Sequence, residues 1–128
     1  MTQVDRLQKL RATYGQFFSP VRQAGIDVGD GWYTILDLLL QRLTTLLREE
    51  PTVVLEVVQI TEKGGRIRFQ FRMSGASDIV KRDVRNAVDL AVLASARCCE
   101  RCADLGELIQ SPPWRVRCAA CVDLRARR

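Results

Sequence analysis

Residues 53–73 read VVLEVVQITEKGGRIRFQFRM, and the order of apolar and polar side chains in this stretch decides the fold class. The period is two on both sides of Gly64 and Gly65, which is typical of two strands joined by a tight turn. With the glycines as the turn, cross-strand partners are residues whose numbers sum to 129: Ile60 with Phe69, Val58 with Phe71, Glu62 with Ile67 and Glu56 with Met73. The stretch predicts an antiparallel β-hairpin.

The predicted hairpin has an apolar face and a basic face, because alternate side chains of a strand point to opposite sides. The apolar face carries Val54, Val58, Ile60, Ile67, Phe69, Phe71 and Met73, with Glu56 and Glu62 at its margins. The basic face carries Gln59, Thr61, Lys63, Arg66, Arg68, Gln70 and Arg72. Its four cations are candidates for contact with an acidic partner.

Helical periodicity lies on both sides of the hairpin. Residues 3–14 predict a first helix, with Thr2 as a candidate N-cap and an end near Gly15. Residues 33–50 predict a central helix, whose extra leucines at 38 and 40 widen the apolar stripe beyond one contact surface. A third helix follows Ser77 or Asp78 as N-cap, and its stripe of small residues comprises Val80, Val84, Ala87, Ala91, Ala94 and Cys98. The segment 19–31, rich in Gly and Asp, predicts a loop leading to Trp32.

The chain ends in two cysteine pairs of equal spacing, Cys99 with Cys102 and Cys118 with Cys121. Fifteen residues separate the pairs, which is within the range for a four-cysteine zinc site. Two residues between paired thiolates let both sulfurs reach one ion from a single turn, and four protein ligands leave no open position for chemistry. We therefore expect a structural Zn²⁺ in a zinc knuckle or ribbon at 98–128, following an α+β body at 1–97.

Other interpretations of these cysteines remain open. The thiols could be cysteines that bind no metal, a redox dithiol or the ligands of an iron–sulfur cluster. Cys98 fits the stripe of the third helix, so we assign it to packing, although it could replace Cys99 as a ligand. Trp114 is interpreted as a lid over the knuckle, with base stacking as the alternative.

Composition limits the function classes. The 128 residues include 20 Lys or Arg against 15 Asp or Glu and no histidine, so the formal net charge is +5. The commonest acid–base and triad chemistries need an imidazole and are thereby excluded. The leucine-rich stretch 35–40, apolar except for Asp37, is too short to span a membrane, and the N-terminus lacks the apolar core of a signal peptide. We expect a bacterial cytoplasmic location and no membrane or small-molecule partner.

Three segments together resemble a family of small proteins encoded by bacteriophages and prophages. That family combines GDGW, VVQ-x-KEK-x-GG-x-RF and zinc-ribbon-like C-x2-C…W…C-x2-C motifs. The first motif matches Gly29, Asp30, Gly31 and Trp32. The second matches Val57, Val58, Gln59, Glu62, Lys63, Gly65, Arg68 and Phe69, and the third matches Cys99, Glu100, Cys102, Trp114, Cys118 and Cys121. Gly64, Arg66 and Ala103 depart from the family pattern. The resemblance implies zinc and a phage origin but no mechanism.

Two functions follow as hypotheses. The first is a non-enzymatic interaction protein that binds and modulates a host or phage assembly, for example as an anti-defence or accessory inhibitor. The alternative is a module that binds DNA or RNA through a basic surface of Lys63, Arg66, Arg68, Arg72, Arg115 and Arg117. An enzyme is the weakest hypothesis, since Asp30 and Glu62 are the only acids of the matching motifs that look out of place for packing. A helix cap and an ion pair with Lys63 explain them more simply.

Overall fold

The structure is a computed structural model, and it describes residues 3–19, 25–101, 106–108 and 116–117. The helices are α1 (Gln3–Thr13), α2 (Tyr33–Leu47) and α3 (Asp78–Ser95). The strands are β1 (Gly25–Asp27), β2 (Val54–Lys63), β3 (Arg66–Ser74), β4 (Glu107–Leu108) and β5 (Val116–Arg117). Single 3-10 turns precede β1 and α2 at Gly15–Phe17 and Asp30–Trp32. The α+β class and the order helix, helix, hairpin, helix are confirmed.

The main sheet is mixed and has three strands, which corrects the prediction of a simple antiparallel hairpin. Its order is β1-β2-β3, with β1 parallel to β2 and β3 antiparallel to it. β1 lies inside the predicted loop and places Ile26 beside Ile60. Gly25 and Asp27 flank Ile26, and both residue types are depleted in strands, so the three residues carry no readable alternation. The hairpin is therefore one half of a larger sheet.

The hairpin turn is confirmed. Gly64 and Gly65 have φ angles of 62° and 83°, the positive values that a type I′ turn needs at both central positions. Lys63 pairs with Arg66 across the turn, and the Glu62 carboxylate accepts a hydrogen bond of 2.7 Å from the N–H of Gly65. Near the turn Ile60 pairs with Phe69 and Glu62 with Ile67, as predicted.

A β-bulge at Val58 shifts the rest of the predicted register by one residue. Beyond it Phe71 pairs with Val57 and Met73 with Leu55, not with Val58 and Glu56. A strict period of two would have brought Glu56 to the apolar face. One extra residue in β2 instead turns Leu55 and Val57 into the core and leaves Val54 63% exposed.

The core lies between the sheet and the helices. It contains Leu36, Leu39, Leu40 and Leu43 of α2, the inward residues of β2 and β3, and a stripe of α3 formed by Val84, Ala87, Val88, Ala91 and Ser95. Ser77 caps α3 by accepting a 3.2 Å hydrogen bond from the Val80 N–H, as predicted. Ala94, predicted on the buried stripe, is exposed because the stripe continues to Ser95. None of the helices in the described part of the chain has the length and apolar composition needed to cross a membrane.

Candidate metal centre and binding surfaces

Of the four predicted zinc ligands, Cys99 lies among the described residues. It follows α3 by four positions and is fully buried. Cys102, Cys118 and Cys121 lie outside the described residues, as do Trp114 and Arg115. Within the ranges that the structure describes, no three Cys, Asp or Glu side chains converge as metal ligands. The zinc prediction therefore depends on the cysteine spacing and on how the backbone around Cys99 is held.

The backbone on both sides of Cys99 is bound by the segment Gly29–Trp32. The Trp32 indole N–H donates a 2.8 Å hydrogen bond to the carbonyl oxygen of Cys98. The N–H of Gly31 donates a 2.8 Å hydrogen bond to the carbonyl oxygen of Glu100. The Cys98 thiol lies 3.5 Å from the carbonyl oxygen of Gly31. The GDGW motif was predicted to lie in a loop, and this contact was not predicted, because it joins residues 66 or more positions apart.

Gly29 lets the Gly29–Trp32 segment lie close to the backbone of the cysteine segment. A Cβ atom added to Gly29 would collide with the carbonyl oxygen of Glu100 and lie 2.8 Å from its carbonyl carbon. The φ and ψ of Gly29, −69° and 149°, are accessible to any residue. Glycine is therefore needed here for space and not for its backbone conformation.

The cysteine segment also contacts the β4–β5 pair of strands and the residue before it. The Glu100 N–H donates a 3.1 Å hydrogen bond to the carbonyl oxygen of Val116, and the Gly106 N–H donates one of 2.9 Å to that of Arg97. β4 and β5 pair antiparallel, with Leu108 beside Val116. Glu100 and Val116 each precede a predicted ligand by two positions, Cys102 and Cys118 respectively. The described contact thus joins a residue inside the first cysteine pair to the strand that leads into the second pair.

The predicted basic surface is exposed along the sheet. Lys63, Arg66, Arg68 and Arg72 are all exposed, and the first two are direct cross-strand neighbours. Two carboxylates share this face, since Glu56 pairs with Arg72 and Asp27 follows the inward-facing Ile26. The structure describes the backbone of Arg117 in β5 but not its side chain.

The two acids considered for catalysis have structural partners. Asp30 forms a 3.0 Å ion pair with Arg6, whose guanidinium also lies 4.4 Å from the ring centre of Tyr33. Among the described residues, one Asp30 carboxylate oxygen bonds to Arg6 and the other has no hydrogen-bond partner, so the expected capping role of Asp30 is wrong. Glu62 bonds to the turn at Gly65. Asp30 thus ties α1 to the start of α2.

An apolar groove between α2 and α3 was not predicted. It has a volume of about 440 Å³, and its walls include Leu38, which is 58% exposed, and Leu90, which is 68% exposed. Arg42, Asp83 and Asn86 are its polar lining residues. The signal was present in the sequence, because the extra leucine at 38 exceeds what one buried face of α2 can use.

No protein-family model, curated protein or solved structure matches this chain.

Proposed function

We propose that this chain is a non-enzymatic binding protein whose α2–α3 groove receives an apolar helix of a host or phage protein in the bacterial cytoplasm. The observation that carries the proposal is the exposure of Leu38 and Leu90 on facing walls of one groove. Contiguous exposed apolar surface of this kind marks protein interaction sites, whereas scattered single leucines do not.

The dimensions and chemistry of the groove favour a helix as the occupant. Its lining extends from residue 83 to residue 94 along α3, which is about 16 Å or three helical turns. A partner helix with apolar residues at intervals of three and four would place one ridge between α2 and α3. Arg42 and Asp83 would hydrogen-bond polar groups at the margin of that helix.

The experiment compares capture of partners from nuclease-treated bacterial lysate by the wild type and by a Leu38→Gln, Leu90→Gln double variant. Leu93→Gln is the matched control, because Leu93 is 57% exposed on α3 but does not line the groove. We expect a specific partner that is lost with the double variant and kept with the control. Retention by the double variant, recovery of no partner, or self-association that the double variant abolishes would each overturn the proposal.

The cysteine module of this binding protein is proposed to hold a structural Zn²⁺ through Cys99, Cys102, Cys118 and Cys121. Four thiolates in two C-x2-C pairs are the donor set that zinc prefers. The burial of Cys99 and the hydrogen bond between Glu100 and Val116 support this ligand set. Zinc bound by four protein ligands would stabilise the module and supply no catalysis.

A second candidate function is nucleic-acid binding by the basic face of the sheet. Arg66, Arg68 and Arg72 support it, because all three are exposed on one strand. Arg66 and Arg68 are alternate residues about 7 Å apart, and Arg72 lies about 13 Å further along the strand, so the three can contact phosphates along one backbone.

The test is DNA and RNA binding across a salt series. Replacement of the three arginines by alanine should reduce the slope of log K against log salt on duplex DNA by about 2.7, or about 0.9 for each phosphate contact. Arg48, Arg82 and Arg85, exposed residues outside the sheet, give a control triple variant with the same change of net charge. Equal slopes for the two triple variants would rule out this face.

A further inference from the structure

We infer that Gly29, Gly31 and Trp32 are positioning residues of the metal centre, which hold Cys99 ready for the ion. The inference rests on the proposed zinc site. Trp32 and Gly31 donate hydrogen bonds to the two carbonyl groups that flank Cys99, those of Cys98 and Glu100, and Gly29 lies against the Glu100 carbonyl. They act on the metal through the cysteine backbone and do not touch the ion.

Two separate segments hold the backbone around Cys99. The carbonyl oxygens of Cys98 and Glu100 accept hydrogen bonds from Trp32 and Gly31. The N–H of Glu100 donates a hydrogen bond to the carbonyl oxygen of Val116 in β5. The backbone before and after the thiol is thus fixed by contacts that involve no cysteine side chain.

Such fixation raises metal affinity for a physical reason. A flexible knuckle must lose conformational freedom when its thiolates converge on an ion, whereas a held segment has already lost part of it. Groups that orient metal ligands without binding the metal typically contribute a factor of about 10–100 in affinity.

Gly29 offers the most selective change. A methyl group there would meet backbone atoms of Glu100, which cannot rotate aside as a side chain can. Gly29→Ala therefore separates the Gly29–Trp32 segment from the cysteine segment. Gly15→Ala is the matched control, because a Cβ at Gly15 has no atom within 4 Å.

The test measures the Zn²⁺ dissociation constant of the full chain by competition with a chromophoric chelator. We expect Gly29→Ala to bind zinc about 10- to 100-fold more weakly than the wild type, and Gly15→Ala to bind it equally well. Trp32→Phe keeps an aromatic ring but loses the bond to Cys98. Trp32→Phe should weaken zinc binding about three- to tenfold. This variant replaces Gly29→Ala in the test if Gly29→Ala does not fold.

A second readout separates positioning from general stability. The difference in Tm between zinc-loaded and zinc-free protein should be smaller for Gly29→Ala than for the wild type, because ligand stabilisation depends on affinity. A purely structural role would lower both Tm values equally and leave the difference unchanged, which would overturn the inference. Wild-type affinity in Gly29→Ala and Trp32→Phe would also overturn it while the zinc site stands. A wild type that binds no zinc would remove the zinc site itself.

Discussion

The hydroxyl of Ser95 accepts a 2.8 Å hydrogen bond from the backbone N–H of Ile67 and so fastens the end of α3 to the start of β3. The same oxygen donates a 2.6 Å bond to the carbonyl oxygen of Val92 within α3. Ser95 is fully buried and Ile67 nearly so. Because β3 is an edge strand, its outward N–H at Ile67 would otherwise have no strand to bond. Ser95 satisfies that donor inside the core.

Ser95→Ala should destabilise the fold by about 1–3 kcal/mol, the cost of leaving a buried donor without its acceptor. Urea denaturation measures the free energy of unfolding. Ser74→Ala, at the exposed end of β3, is the control and should change it by less than about 0.5 kcal/mol. Equal effects of the two substitutions would mean that the Ser95 bond contributes nothing specific.

A second polar contact joins Tyr14, the residue after α1, to α2. The Tyr14 hydroxyl donates a 2.6 Å hydrogen bond to the Asp37 carboxylate, which also accepts a 3.0 Å bond from the Gln41 side chain. Burial, and then the adjacent Asp37 carboxylate, raise the pKa of Tyr14 from 10.0 to about 12.

This raised pKa predicts a pH dependence of stability. Between pH 10 and about 12 the unfolded chain has released the Tyr14 proton and the folded chain has kept it. The unfolded state then binds fewer protons, so the free energy of unfolding falls as pH rises. The contribution of Tyr14 is complete below pH 10 and is lost as pH rises through about 12.

Tyr14→Phe isolates this effect. Near neutral pH it should reduce stability by about 1.5–3 kcal/mol, as expected for a hydrogen bond to a charged group. Between pH 10 and 12 the wild type should lose stability faster than the variant, so the two denaturation midpoints should converge. Parallel decline of the two proteins would contradict the assignment of this pKa to the Tyr14–Asp37 contact.

Local patterns predicted the elements of this fold and missed the features that depend on distant residues. The three helices, the Ser77 cap and the turn at Gly64 and Gly65 each follow from residues within a few positions of one another. The bulge at Val58 does not, because it is the core that selects Leu55 and Val57 over Val54. β1 was missed because a three-residue parallel strand gains its hydrogen bonds only from β2.

Among the candidate binding surfaces and the cysteine segment, too, some features follow from local sequence patterns and others depend on distant residues. The exposure of the four cations of the hairpin follows from alternation, since every second residue of β3 faces away from the core. The contact of Trp32 with Cys98 is a backbone approach that no periodicity encodes. The groove at Leu38 and Leu90 exists because α2 is apolar on more sides than α3 and the sheet can cover.

Two glycines with positive φ differ in their surroundings and should differ in their tolerance of alanine. Gly64, at φ 62°, has open space at the Cβ position, so Gly64→Ala should cost only the backbone strain of about 1–2 kcal/mol. Gly75, at φ 75°, lies against Thr52, and its Cβ would collide with the Thr52 carbonyl oxygen. Gly75→Ala should therefore cost about 2–5 kcal/mol, because overpacking adds about 1–3 kcal/mol to the strain.

Urea denaturation of both glycine variants decides the point. A larger loss of unfolding free energy for Gly75→Ala would show that the extra cost comes from the close contact between the β3–α3 connection and the residues before β2. Equal losses would show that the chain near Thr52 shifts to accept a methyl group.

The adjacent cysteines Cys98 and Cys99 allow a matched test of the proposed zinc site, in which each cysteine is replaced by serine in turn. Cys99→Ser should lose bound zinc, because a serine hydroxyl is a poor substitute for a thiolate ligand. Cys98→Ser should keep one zinc ion per chain. Elemental analysis of the purified proteins measures this, and a chelator then reports the effect on stability. At free zinc about a hundred times the dissociation constant, the ion stabilises the fold by about 2.7 kcal/mol.

Removal of zinc should therefore lower the Tm of the wild type and of Cys98→Ser by roughly 10 °C for a chain of this size, and that of Cys99→Ser hardly at all. The reverse pattern, with zinc lost from Cys98→Ser and kept by Cys99→Ser, would make Cys98 the ligand and require three residues between the first thiolate pair. Zinc retained by both variants would exclude this cysteine segment from the site. If the wild type contained no zinc, the proposed zinc site would be wrong. The hydrogen bonds that Trp32, Gly31 and Val116 make around Cys99 would then hold this segment without a metal.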